Sequence, residues 1–228
     1  LVGSEMCIRD RPCGAHQHWI SMDIRPWSDP TTHSRSRPTT QRRLGNPVAL
    51  PTPVTTPLSS DLLVIAASNG ENLKLAERFA ATARAQGHSA AVVDLTALEL
   101  PLFTPRAMAA GTPAALAQLQ EQLQAAPRWV ICAPEYNGSI PPVLTSAIAW
   151  LSVQGDDFRA LFNGRPVAIA THSGGGGHTL LSALRLQLAH LGAHVVGRQL
   201  VSNATQRASD DTIADLLQRL QRLQPLDV

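Results

Sequence analysis

Residues 129–142 read Trp129-Val130-Ile131-Cys132-Ala133-Pro134-Glu135-Tyr136-Asn137-Gly138-Ser139-Ile140-Pro141-Pro142. The first five form a short apolar run, as in a strand covered on both faces. Beyond the run, Leu144, Ala147, Ile148 and Leu151 recur at i, i+3, i+4 and i+7, the spacing of an amphipathic helix. The residues between are therefore a tight strand-to-helix loop. Its paired prolines fall in the first helical turn, where a missing N–H loses no hydrogen bond. In an open α/β sheet such a loop stands at the carboxyl end of a strand, the edge where these sheets bind ligands. Its N–H groups can face a flat polar ring, and Tyr136, the only tyrosine in the chain, is available to line it.

The same alternation runs outward on both sides. Leu62–Ala67 is a continuous apolar run, and Asn72–Gln86 reads as a helix with Ala76, Phe79, Ala80 and Ala83 on one face and Gly87 as its stop. A second strand is expected at Ala90–Leu95. Leu98–Phe103, broken by Pro101, reads as a connection packed on the sheet edge, and a helix follows over Pro113–Ala125 with Leu116, Leu119 and Leu123 inward. After the helix at about Pro142–Ser152 comes a polar loop, Val153–Gly164. A fourth strand, Val167–Thr171, precedes the glycine run Gly174–Gly177 and a helix over His178–Leu191. Val195-Val196 marks a fifth strand. Ser209 is the expected cap of a last helix, with Asp210 and Asp211 in its first turn and Ile213, Leu216, Leu217 and Leu220 as its buried stripe. Five strands alternating with helices predict a doubly wound α/β fold. With right-handed crossovers, this is a flavodoxin-like three-layer sandwich around a five-stranded parallel sheet of order 2-1-3-4-5. That order gathers the ends of strands one, three and four around one cleft.

Composition narrows the function classes. The chain has 228 residues, 44% of them hydrophobic, which suits one well-buried domain with residues to spare. The formal charge of +2 is uneven: residues 1–50 hold seven Arg against four acids, and the remainder twelve Lys and Arg against thirteen acids. A near-neutral body gives no electrostatic case for nucleic acid, and no run is long enough to span a bilayer. Cys7, Cys13 and Cys132 make no disulfide or metal framework, and Cys132 reads as a small buried hydrophobe. Residues 1–58 are rich in Pro, Arg, Ser and Thr and lack apolar periodicity, so a disordered extension is expected there and the folded domain over 59–228. Residues 1–10 resemble translated adaptor sequence, which moves the expected start to Met22 or beyond.

Three loops carry the candidate chemistry. The first, Ser68-Asn69-Gly70-Glu71-Asn72, opens a helix. Free N–H groups and the helix dipole favour a phosphate there, with Ser68, Asn69, Gly70 and Asn72 as candidates; the plainer reading is an N-cap turn without a ligand. Neither Gly-x-x-x-x-Gly-Lys nor Gly-x-Gly-x-x-Gly is present, which argues against a nucleoside triphosphate and against Asp94 as a ribose ligand. The second loop offers Pro134, Glu135, Tyr136, Asn137 and Gly138. Its plainer readings are an Asn-Gly turn, a solvated Glu135 and a Tyr136 packed on a partner subunit. The third, His172–His178, offers Ser173, Gly174, Gly175 and Gly176, whose backbone can approach a flat ligand closely; its plainer reading is a flexible loop. His172 and His178 have no third ligand in view, so no metal is expected. Ser173 lacks the Gly-x-Ser-x-Gly elbow of a nucleophile.

Pro134–Pro142, followed by Val-Leu-x-x-Ala-Ile-x-Trp-Leu-Ser, resembles the signature of the NAD(P)H-dependent FMN reductase family, and the likeness extends over about Leu62–Leu200. It implies FMN as cofactor and NAD(P)H as co-substrate. Hydride would pass to FMN and then to a flavin, quinone, azo compound or similar small-molecule acceptor, with no catalytic side chain. It also implies that Pro134–Gly138 wrap the ring edge, that Ser173–Gly176 lie against the flavin, and that the first loop holds the phosphate. The family's longer Gly-Ser-x-Arg-x-x-Ser-x-Asn segment is shortened here and lacks the Arg. A cytoplasmic homodimer or homotetramer follows from the resemblance, with no nucleic acid or membrane partner; Trp150 and the 153–164 loop are candidate contacts. An FMN-binding electron carrier and a flavin-free module share the fold. Deleting residues 1–57 should leave a soluble protein with an unchanged melting curve by circular dichroism; insoluble or unfolded protein would show that the extension belongs to the fold.

Overall fold

The computed structural model describes residues 60–226. The extension expected over 1–58 lies outside the described residues. The strands are β1 (Leu62–Ala66), β2 (Ala90–Asp94), β3 (Trp129–Cys132), β4 (Pro166–His172), β5 (His194–Val195) and β6 (Leu200–Ser202). The helices are α1 (Glu71–Ala85), α2 (Pro105–Ala109), α3 (Ala114–Ala125), α4 (Pro142–Ser152), α5 (His178–His190) and α6 (Asp210–Arg222). All strand pairs are parallel, in the order β2-β1-β3-β4-β5, with β6 also paired to β4.

The fifth position of the sheet is thus filled by two short segments. β5 pairs with Pro166–Val167 and β6 with Ala170–His172. Between them Gly197 interrupts the strand, and the Arg185 guanidinium takes the carbonyls of Val196 at 3.0 Å and Gly197 at 3.4 Å. A carbonyl bound to a side chain is lost to the ladder, so the edge strand detours and resumes at Leu200. The connection after β2 contains the short helix α2, which the sequence pattern did not suggest. Thr104 caps it, its hydroxyl accepting from Ala107 N at 3.0 Å.

The two-residue period of the strands sorts the core into two halves. Leu63, Ile65, Trp129, Ile131, Val167 and Ile169 face α3, α4 and α5. Leu62, Val64, Ala66, Val130, Cys132, Ala168 and Ala170 face α1 and α6. The α1 side of the central strands is built from small residues, so α1 lies close on the sheet and seats Phe79 fully buried. Ser209 caps α6, its hydroxyl accepting from Thr212 N at 3.2 Å. Trp150, read from sequence as a candidate subunit contact, is buried instead: its Nε1 donates to Pro101 O at 2.8 Å, and its ring meets Phe103 edge-on. It anchors the 98–103 connection onto α4. Among the described residues no helix is long and apolar enough to cross a membrane.

Phe79→Ala should lower the unfolding free energy by about 3–5 kcal/mol, because the close-packed α1 layer cannot collapse into the space. Urea denaturation with an unchanged native circular dichroism spectrum checks this; a loss under about 1 kcal/mol would mean that the α1 layer repacks freely.

Candidate functional site

Parallel strands end on one edge, and register fixes how far each reaches. Ala66 pairs with Cys132, and Cys132 with Ala170, but β4 runs on through Thr171 and His172. β3 therefore stops two residues short of β4. The β1–α1, β3–α4 and β4–α5 loops leave this edge side by side, as the predicted strand order requires.

The step between β3 and β4 sets the chemistry of the edge. Ala133 N bonds Ala170 O at 3.1 Å, and Ser173 N bonds Ser202 O at 3.0 Å. Alternation along β4 then turns the main chain of His172 toward the side that β3 has vacated. Asn72 fills that place. Its Nδ2 donates to His172 O at 2.9 Å, and its Oδ1 accepts from His172 N at 2.8 Å. One side-chain amide thus does the work of a strand residue, and it is 2% exposed. Asn72 was a sequence candidate for phosphate. Its side chain is committed inward, which leaves only its backbone N–H for a ligand.

Ser173 is committed in the same way. Thr171 Oγ1 donates to Ala133 O at 2.6 Å and lies 2.9 Å from Ser173 Oγ, which accepts from Glu135 N at 2.7 Å. A hydroxyl has one proton, and Thr171 spends its own on Ala133. The Ser173 proton therefore goes to Thr171, giving a directed chain from Glu135 N–H through both hydroxyls to Ala133 O. The Glu135 carboxylate is not free: Oε2 accepts from Leu180 N at 3.0 Å, inside α5. His172 Nδ1 lies 3.0 Å from Ser202 Oγ, which also accepts from Ala208 N at 3.1 Å. Thr171 and Ser202 were not singled out from sequence. Thr171 looked like an ordinary strand residue and Ser202 fell outside every element read from sequence; only the register brings them to this edge.

With these side chains turned inward, main-chain donors are left for the cleft. Tyr136 and Ser139 exchange both hydrogen bonds, at 3.1 and 3.0 Å, around Asn137 at φ 52° and Gly138 at φ 67°. Two residues in the left-handed region make a type I′ turn, which explains the Asn-Gly pair. The N–H groups of Asn137 and Gly138 point out of this turn and have no partner among the described residues. Gly70 caps α1 without a side-chain bond, so the N–H groups of Glu71 and Asn72 are open as well. A Cβ at Gly174 would touch nothing within 4 Å, so the third loop lines open space. Tyr136 stands at the rim, 49% exposed. Ser68, Asn69, Gly70, Glu135, Asn137, Gly138, Gly174, Gly175 and Gly176 all lie on these loops, while Pro134 is buried beneath the second.

A depression of about 420 Å³ lies beside the first turns of α1, lined among others by Glu71, Lys74, Arg78, His172 and Arg207. Glu71, Lys74, Arg78 and Arg207 are all in ion pairs. Lys74 bonds Glu71 at 2.7 Å and holds its carboxyl below the usual range, helped by Arg207 and His172. It does not reach the second loop, so the cleft of three loops remains the candidate site. Cys132 is fully buried under this edge, and burial pushes its thiol up, out of reach of a thiolate role.

Residues 60–207 match the family model described as NADPH-dependent FMN reductase. The chain is 32% identical over 149 residues to an NAD(P)H-dependent FMN reductase of Pseudomonas aeruginosa, covering 60% of this chain and 78% of that protein. It is 42% identical over 90 residues to a quinone reductase of Escherichia coli K12, covering 39% of this chain and 46% of that protein. Among solved structures, FerB of Paracoccus denitrificans, a flavoenzyme NAD(P)H:(acceptor) oxidoreductase, superposes with a TM-score of 0.58 at 18% identity, over 72% of this chain and 99% of that one. That last likeness speaks for the fold.

Asn72→Ala should cost about 2–3 kcal/mol of stability, since it strands the N–H and C=O of His172 together. Thermal melts read it. A cost near zero would mean that water reaches and pairs the end of β4.

Proposed function

The chain belongs to the NADPH-dependent FMN reductase family, and on that footing we propose that its three carboxyl-edge loops hold one FMN. It is an FMN-dependent NAD(P)H oxidoreductase of the type that reduces flavins, quinones or azo compounds. FMN held there would supply the hydride and electron transfer between NAD(P)H and the acceptor. What supports the site assignment is the set of unpartnered main-chain N–H groups on two loops that leave the same edge of the sheet.

The residues present fit the cofactor. The N–H groups of Asn137 and Gly138 are free donors for the polar edge of a flat ring, and Tyr136 can cover that edge. The open start of α1, at Gly70, Glu71 and Asn72, suits a phosphate through backbone donors and the helix dipole, with Ser68 and Asn69 beside it. Gly174, Gly175 and Gly176 let the third loop approach closely. Ser173 and the Asn72 side chain build the walls and are not ligands in this reading. The body of the chain from residue 59 onward constitutes the flavin domain.

A homodimer or homotetramer in the cytoplasm belongs to the same proposal. Its support is the outer layer of α4 and α5. α4 carries no charged residue, and the single Arg of α5 is turned inward onto Val196 and Gly197. Leu186 is 73% exposed on α5. Depletion of charge around an exposed apolar group is the mark of an interface core.

The purified protein, mixed with FMN and desalted, should keep a flavin absorption band that bleaches when NADPH or NADH is added without oxygen. A retained band that neither nucleotide bleaches would make the protein an electron carrier. A colourless protein would remove FMN from the site.

A further inference from the structure

We infer that Glu135 is a positioning residue, whose carboxylate clamps the second loop against the third and so fixes two walls of the flavin cleft. This rests on the reading of the cleft given above. The starting point is a deficiency in α5. Its N-cap is Gly177, at φ 70° and without a side chain, and its first turn contains no acid. A helix so begun lacks the acceptor that Ser, Thr, Asp or Asn would bring to the third N–H. In α5 that N–H belongs to Leu180, and it donates to Glu135 Oε2 at 3.0 Å. The cap therefore comes from another loop, 45 residues earlier in the chain. A carboxylate is the strongest choice for the place: the bond is charge-assisted, and the helix dipole favours a negative group there.

The other end of Glu135 is tied to the same loop. Its N–H donates to Ser173 Oγ at 2.7 Å. One residue is thus bound to the first residue of the β4–α5 loop through its backbone and to the helix at the far end through its side chain. The glycines between are shaped by this clamp. A Cβ at Gly175 would stand 3.7 Å from Glu135 Oε1, in contact with the carboxylate, and a Cβ at Gly177 would stand 2.6 Å from Thr171 Cγ2. Gly177 thus lets the loop pass over Thr171, while Gly175 lies in ordinary contact with the carboxylate. Asn137 and Gly138, whose N–H groups face the cleft, follow Glu135 by two and three residues. Holding Glu135 holds them.

The test compares the wild type with Glu135→Gln, which keeps an acceptor, and Glu135→Ala, which removes it. Two quantities are read: the Kd of FMN and of riboflavin by flavin fluorescence quenching, and amide hydrogen exchange at Leu180 in the flavin-free protein. Glu135→Ala should weaken FMN and riboflavin alike, by about ten- to a hundredfold, and speed exchange at Leu180 by a similar factor. The two flavins suffer equally because the clamp supports the ring walls, not the phosphate end. Glu135→Gln should stay within about threefold of the wild type in both readings. Unchanged flavin affinity in Glu135→Ala, with Leu180 deprotected, would reduce Glu135 to a helix cap and overturn the proposal. So would flavin loss in Glu135→Gln while Leu180 stays protected, since Glu135 would then act on the flavin directly. A wild type that binds neither flavin would overturn the reading of the cleft itself, and Leu180 exchange, measured without flavin, would still report whether the clamp exists.

Discussion

A β-strand that outruns its neighbour must find other partners for its main chain, and this constraint organises the whole carboxyl edge. β4 extends two residues past the end of β3, so His172 presents an N–H and a C=O to a gap in the sheet. Buried main-chain groups left unpaired cost about 1–3 kcal/mol each. The chain closes the gap with side chains. The Asn72 amide pairs both groups of His172, and Thr171 reaches back to Ala133 O. Because Asn72 belongs to α1, the closure also seats that helix on the end of β4. The first and third loops are thereby fixed to each other before any ligand is considered.

The same economy divides labour between side chain and backbone. Asn72, Thr171, Ser173, Glu135 and Ser202 are polar side chains at the edge that are each spent on a neighbouring loop or strand. Beside them stand free backbone N–H groups at a type I′ turn and at an uncapped helix start. Such donors are held rigidly, carry no proton to give away at neutral pH and suit a cofactor that brings its own reactivity. A family in which the flavin does the chemistry needs no nucleophile or general base from the protein, and Ser173, Glu135 and Cys132 are here held in bonds or buried.

The two faces of the sheet differ in kind. α1 and α6 carry Glu71, Lys74, Glu77, Arg78 and Arg84, and Asp210, Asp211, Asp215, Arg219 and Arg222, several of them paired, as between Arg78 and Asp210. Pairs so exposed add little stability and mark a surface that meets water. α4 and α5 are nearly free of charge. The N-termini of α4 and α5 border the proposed cleft from one side of the sheet, and that of α1, with Glu71 in its first turn, borders it from the other.

Much of this was legible in the chain itself. Apolar runs and 3.6-residue stripes are local patterns, so the helices at 142–152 and 210–222 and the four long strands could be read with their neighbours, and a parallel order then follows from right-handed crossovers. The shapes of the loops were legible too, because Asn-Gly, the paired prolines and the glycine run are backbone requirements written in residue type. What each polar side chain does was decided only by the tertiary structure. Asn72 looked like a phosphate ligand, Ser173 like a ligand of the cofactor, Glu135 like a ring-loop residue or a solvated acid, and Trp150 like a surface contact. Where each side chain is held depends on something that sequence does not carry: how far one strand outruns the next, which helix lacks its own cap, and, for Trp150, which connection packs on α4. Those are distances between residues up to 100 positions apart, and a hydrogen bond is settled by such distances rather than by the identity of either partner.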